Sequence, residues 1–110
     1  MNILENIPYV IDSMGKRKVV DEKHLLVMQI ALKSGQIVPQ HNANSNVHLL
    51  ILRGLVTVKL SGADTQAKEG DLVKVDYQTP MTIKNSGTDN VAFLVFKTPN
   101  PSEMLKEKDK

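Results

Sequence analysis

The chain has no cysteine and no tryptophan, and only two phenylalanines and two tyrosines among its 110 residues. Without cysteine there can be no disulfide and no thiolate metal site, a usage that fits the cytoplasm. So few aromatics disfavour a stacking platform for bases or sugars. A dominant charge is lacking too, since the net charge is +2. Lys97, Lys106, Lys108 and Lys110 lie at the end of the chain and read as a solvated tail rather than a basic stripe for nucleic acid. No apolar run approaches the ~20 residues that cross a bilayer. The opening MNILENIPYV lacks the positive n-region and apolar stretch of a secretion signal. Nucleic acid and membrane are therefore not expected partners.

What is present is an ordinary globular composition, with 41% hydrophobic residues, in a chain long enough for one core and too short for two. Residues 1–110 are read as a single domain. Short aliphatic and β-branched runs follow one another at 18–21, 25–32, 37–41, 47–52, 55–60, 65–68, 72–75, 81–85 and 91–97. Turn residues separate them: Ser34-Gly35, Arg53-Gly54, Ser61-Gly62-Ala63-Asp64, Glu69-Gly70-Asp71 and Asn85-Ser86-Gly87-Thr88. Many short strands with no helical period between them indicate an antiparallel sandwich or barrel. In LVTVKL, Leu55, Thr57 and Lys59 share one face and Val56, Val58 and Leu60 the other, which gives a strand with one wet side. HLLVMQIAL and VAFLVF are apolar on both faces. They need a second cover, for which a partner subunit is one candidate, and a homodimer is expected. At the end, Asn100-Pro101-Ser102-Glu103 supplies an N-cap, a proline at N1 and an acid at N3 for a short helix, 101–108. So short a helix holds only by docking Met104 and Leu105 on the barrel.

The order of glycines is more specific. Gly35-Gln36-Ile37-Val38-Pro39-Gln40-His41 and Gly54 match the start and end of G-x5-H-x-H-x3,4-E-x6-G. Gly70-Asp71-Leu72-Val73-Lys74-Val75 opens G-x5-P-x-G-x2-H-x3-N, and Asn85 closes it without a gap. On these residues the chain resembles the small single-domain cupins over a core of about residues 19–99. The resemblance implies an all-β fold: a double-stranded β-helix (jelly-roll) barrel, here with a short C-terminal helix. It also implies a dimer.

The family's metal-ligand letters agree far less. His41 stands at the first histidine, but the second falls on Ala43, the acid on Val47 and the third histidine on Met81. Asp76 and Gln78 replace the motif's proline and glycine. His-x-His works on a strand because residues two apart, about 6.6 Å, point to one face and reach one ion. A carboxylate and a third imidazole complete that set. One imidazole of four donors holds zinc, manganese or iron weakly, so no metal and no cofactor are expected.

The reading that follows is a metal-free small-molecule-binding or accessory protein. Met28, His41, Ala43, Val47, Leu49 and Met81 are its pocket candidates, and filling of the core by these same side chains is the plainer alternative. A second reading is a metal-dependent enzyme of isomerase or dioxygenase type. It uses a looser register that places His48 beside His41, with Gln40 or Gln78 nearby. A third is a structural dimer without ligand. Period-two alternation from Gly54 predicts that Val47 and Leu49 face inward and His48 outward. His24 reads as a surface residue, Asp76 and Tyr77 as turn residues, and Asn42, Asn44 and Asn46 as turn chemistry before a polar mouth.

Overall fold

In the computed structural model the chain is described over residues 1–108, with side chains through Leu105. Nine strands precede one helix: β1 (Gly15–Glu22), β2 (Leu25–Leu32), β3 (Ile37–Asn42), β4 (Asn46–Arg53), β5 (Leu55–Leu60), β6 (Ala63–Lys68), β7 (Leu72–Val75), β8 (Pro80–Lys84), β9 (Val91–Thr98) and α1 (Pro101–Lys108). They form two antiparallel sheets, one ordered β1-β2-β9-β4-β7 and the other β3-β8-β5-β6. Between them lies one apolar core, built from the inward residues of both. On β9 these are Val91, Phe93 and Val95, and on β4 Val47, Leu49 and Ile51. From the second sheet come Val56, Val58 and Ile83.

Most boundaries follow the hydrophobic pattern, and the departures have local causes. β6 begins at Ala63 rather than Thr65, because Ser61 (φ 50°) and Gly62 (φ 86°) alone make the turn. Two consecutive left-handed residues form the two-residue hairpin that suits twisted strands. β1 runs from Gly15, well before residue 18, through a register shift between Lys18 and Val20. A similar shift in β3, between Val38 and His41, changes the side-chain parity and sets His41 opposite Met81.

One end of the barrel is closed. Leu32 pairs with Val91 across β2 and β9, and both are buried with Ile51, Val56 and Val58. Asn85 ties this end together. Its buried side chain donates to the carbonyls of Leu32 (3.1 Å) and Asp89 (2.8 Å) and accepts from Gly87 N–H (3.1 Å). Gly54 turns the chain from β4 to β5 at φ 80°. A Cβ there would lie 2.7 Å from Val91 Cγ2 and 2.8 Å from the Asn90 carbonyl oxygen, so only glycine meets both demands.

The second cover for β2 and β9 comes from within the chain. Gln29, Ala31, Ala92 and Leu94 point away from the core, yet none is more than 6% exposed. The segment before β1 crosses this face. Gln29 Nε2 donates to the Ile3 carbonyl (2.6 Å), and the Arg17 guanidinium donates to the carbonyls of Ile3, Glu5 and Asn6 and to Gln29 Oε1. Gln36 Nε2 fastens Val10 and Ile11. Burial of Tyr9 in the segment raises its phenol above the ordinary value, against a smaller opposing effect of Arg53. A partner subunit is therefore not what buries these outer faces, and the two-sided apolarity of the strands carries no argument about assembly.

The helix is held differently from the expectation as well. Asn100 caps it by accepting from Ser102 N–H (3.2 Å), and its amide donates to Asp21 and to the Glu22 carbonyl. Hydrogen bonds from Lys18 and then Asn100 keep the exposed Asp21 carboxyl below its ordinary pKa. Met104 is half-buried, whereas Leu105 is 65% exposed and does not dock.

Candidate functional site

The other end of the barrel is open, and a cavity of about 400 Å³ enters the core there. Its apolar walls are made by Met28, Ile30, Val47, Leu49, Met81, Ile83, Phe93 and Val95. All six pocket candidates named from the sequence line it: Met28, His41, Ala43, Val47, Leu49 and Met81. Strand pairing explains the convergence. Met28 and Leu49 both stand opposite Val95 of β9, and His41 stands opposite Met81 of β8.

The rim is fixed by loops that hold one another. The Ala43 amide donates to the Thr79 carbonyl (3.0 Å) and the Gln78 amide to the Ala43 carbonyl (2.7 Å), so the positions of Ala43 and Met81 are set jointly. Gln78 takes the left-handed conformation (φ 69°) at the place of the cupin motif's glycine. Ser45, fully buried, donates to the Pro99 carbonyl and pins the β3–β4 connection to the chain leaving β9. Asn46 belongs to the same backbone chemistry, bonding to the Thr98 carbonyl and the Tyr77 amide (both 3.4 Å), whereas Asn44 and Gln40 line the cavity. Asn42 is exposed on β3. Asp76 pairs with Lys74 at 3.6 Å in solvent, and His24 with Glu22 at 3.4 Å.

His41 is exposed at the mouth with its Nδ1 2.9 Å from the Pro39 carbonyl. A carbonyl only accepts, so Nδ1 carries the proton and a neutral ring keeps Nε2 free as an acceptor. His48 does not join it. It lies between Phe96 and Lys74 in the register, on the opposite face from Val47 and Leu49. The looser register that would pair His41 with His48 on a metal is thus overturned by strand parity. Among the described residues no three His, Asp or Glu side chains come together as metal ligands.

Lys97 is the residue that sequence reasoning misplaced. It is a β9 residue lining the cavity, not part of a solvated tail. The side chains of Lys106, Lys108 and Lys110 lie outside those described. Lys97 continues the inward series Phe93, Val95, Lys97, with Val47 and Leu26 as its cross-strand neighbours. That parity is readable in VAFLVFK, the strand expected over 91–97, by alternation from Phe93. Burial depresses its ammonium below the ordinary lysine value. Lys16 reaches the rim from β1, and among the described residues no aspartate or glutamate lines the cavity.

No family profile matches the chain. It is, however, 34% identical over 93 residues to the uncharacterized protein MJ0764 of Methanocaldococcus jannaschii, covering 84% of this chain and 80% of that one. The crystal structure of that protein, described as an RmlC-like cupin with a double-stranded β-helix fold, superposes with a TM-score of 0.79 over 94% of this chain and 99% of the other. This chain belongs to the RmlC-like cupin family. Two more distant structures share the fold. An RmlC-like cupin of Desulfovibrio desulfuricans is 20% identical, with a TM-score of 0.82 over 90% and 94% of the two chains. A double-stranded β-helix protein of Klebsiella pneumoniae is 17% identical, at 0.84 over 91% and 89%. In this cupin Gly35, Gly54 and Gly70 hold turns at positive φ and Asn85 bonds across the closed end. Among its described residues no helix is long and apolar enough to cross a membrane.

Proposed function

We propose that this cupin is a metal-free binding protein whose ligand is a small, largely apolar molecule seated in the barrel cavity. The observation that carries the reading is the chemistry at the family's four donor positions. His41, Ala43, Val47 and Met81 do converge on one cavity, but they bring one imidazole, a methyl, an isopropyl and a thioether. Such a set does not fit zinc, manganese or iron, and a lysine in the same cavity opposes any cation. What the walls do offer is a concave apolar surface with a few polar groups at its mouth, the usual make-up of a small-molecule site.

The test restores the donors. A variant with Ala43→His, Val47→Glu and Met81→His, made with Lys97→Met because Lys97 faces residue 47, holds three imidazoles and a carboxylate. Without metal it should melt below the parent, because polar groups enter a dry space. Manganese or zinc should then raise its melting temperature by mass action. The parent, purified without chelator or polyhistidine tag, should carry no stoichiometric metal and show no such rise. A parent stabilised by metal as strongly as the variant would overturn the reading.

A further inference from the structure

We propose that the ligand is an apolar monocarboxylate, its carboxylate paired with Lys97 and its hydrocarbon body against Met28, Leu49, Met81 and Phe93. The inference rests on the reading of the cavity as a ligand site and adds the chemical class. Lys97 enters the cavity wall on the inward face of β9, directly opposite Val47. Opposed residues of this kind hold their Cβ atoms about 5 Å apart. In that setting its ammonium has no hydrogen bond and no ion pair among the described residues. Among the described residues no carboxylate lines the cavity to serve as a counterion, while Lys16 and His41 at the rim can only add positive charge.

A half-buried ammonium with apolar walls and no partner is costly where it stands, and its lowered pKa records that cost. A carboxylate entering with its own apolar body would cure the deficit, since ion pairs strengthen as water is excluded. The charge count favours one negative charge. Lys16 is solvent-exposed, and no arginine fork lines the cavity to embrace a phosphate or a dianion. In a metal-holding barrel the fixed positive charge of such a cavity is an ion; here it is covalently part of β9.

A matched series separates this inference from the reading beneath it: 4-phenylbutanoate, 4-phenylbutan-1-ol and 4-phenylbutylamine differ only in the head. Binding is followed by calorimetry and by the ¹³C-methyl resonances of Met28 and Met81. The acid should bind at least about tenfold more tightly than the alcohol, the amine weakest, and Lys97→Met should erase the preference for the acid. Lys97→Met keeps the length of the side chain, and the methyl spectrum reports that the barrel remains folded. If acid and alcohol bind equally, or the preference survives in Lys97→Met, the carboxylate assignment fails and the cavity reading stands. If none of the three perturbs either methionine, both fail.

Discussion

At the closed end of the barrel, Leu32, Ile51, Val56, Val58 and Val91 are buried between the sheets, and Asn85 and Gly54 lock the turns around them. At the open end, the same two sheets enclose a cavity of about 400 Å³ with a lysine in its wall. The family's pattern is divided between these ends. Gly35, Gly54, Gly70 and Asn85 belong to the closed end: Asn85 accepts from Gly35 N–H and bonds to Leu32, and Gly70 N–H donates to Ile51. The donor positions 41, 43, 47 and 81 belong to the open end. Frame residues answer to backbone geometry: Gly35, Gly54 and Gly70 hold positive φ, and the Asn85 side chain bonds to backbone groups. Lining residues face the open cavity, where His41, Ala43, Val47 and Met81 converge.

The largest effect should come from the closed end. Asn85→Ala strands the Leu32 and Asp89 carbonyls and the Gly87 amide, all of which now bond to it. A loss of about 2–3 kcal/mol is expected, a fall in melting temperature on the order of 10 °C. Met81→Leu, a swap of similar volume at the open end, should cost under about 1.5 kcal/mol. Equal losses by calorimetry would abolish the division between the two ends.

A smaller effect, of opposite sign, is expected at Lys97. Its folded-state pKa is lowered from the ordinary 10.5 by burial, so between the two values the unfolded chain binds more protons than the folded one. Stability from this group therefore rises with pH through the folded-state value and levels off near 10.5. The penalty is fully present at neutral pH. Lys97→Met removes it and should stabilise the protein at pH 7 by roughly 1 kcal/mol at most, because Lys97 is only partly buried. The advantage should narrow as pH approaches 10.5. Lys16 and His41 also face the cavity and are unchanged in the variant, so the difference between the two melting curves isolates Lys97.

The fold was legible where local signals agree. β2, β5, β7 and the helix have the limits that their apolar runs and turn residues predict, and the glycine spacing matches a family fold that the relatives share. The inward set was legible too, because period two counted back from Gly54 places Val47 and Leu49 on one face and His48 on the other. Three features were not. The segment before β1 has no periodicity of its own, and its role is written only in Gln29 and Arg17, two polar residues whose partners are backbone carbonyls far away in sequence. Leu105 looks like a docking residue, but the helix is fastened through Asn100 instead. Lys97 ends the strand expected over 91–97 yet reads as charge together with the lysines after it, although alternation from Phe93 and Val95 places it inside.

The measurement closest to the centre of the account is the titration of Lys97 itself, followed by the ¹³Cε resonance of labelled lysine and assigned with Lys97→Met. In the free protein Lys97 should titrate below the ordinary 10.5. Saturation with 4-phenylbutanoate should move it upward, because a bound carboxylate favours the charged form. A Lys97 that titrates at the ordinary 10.5, and does not respond to the acid, would contradict the account.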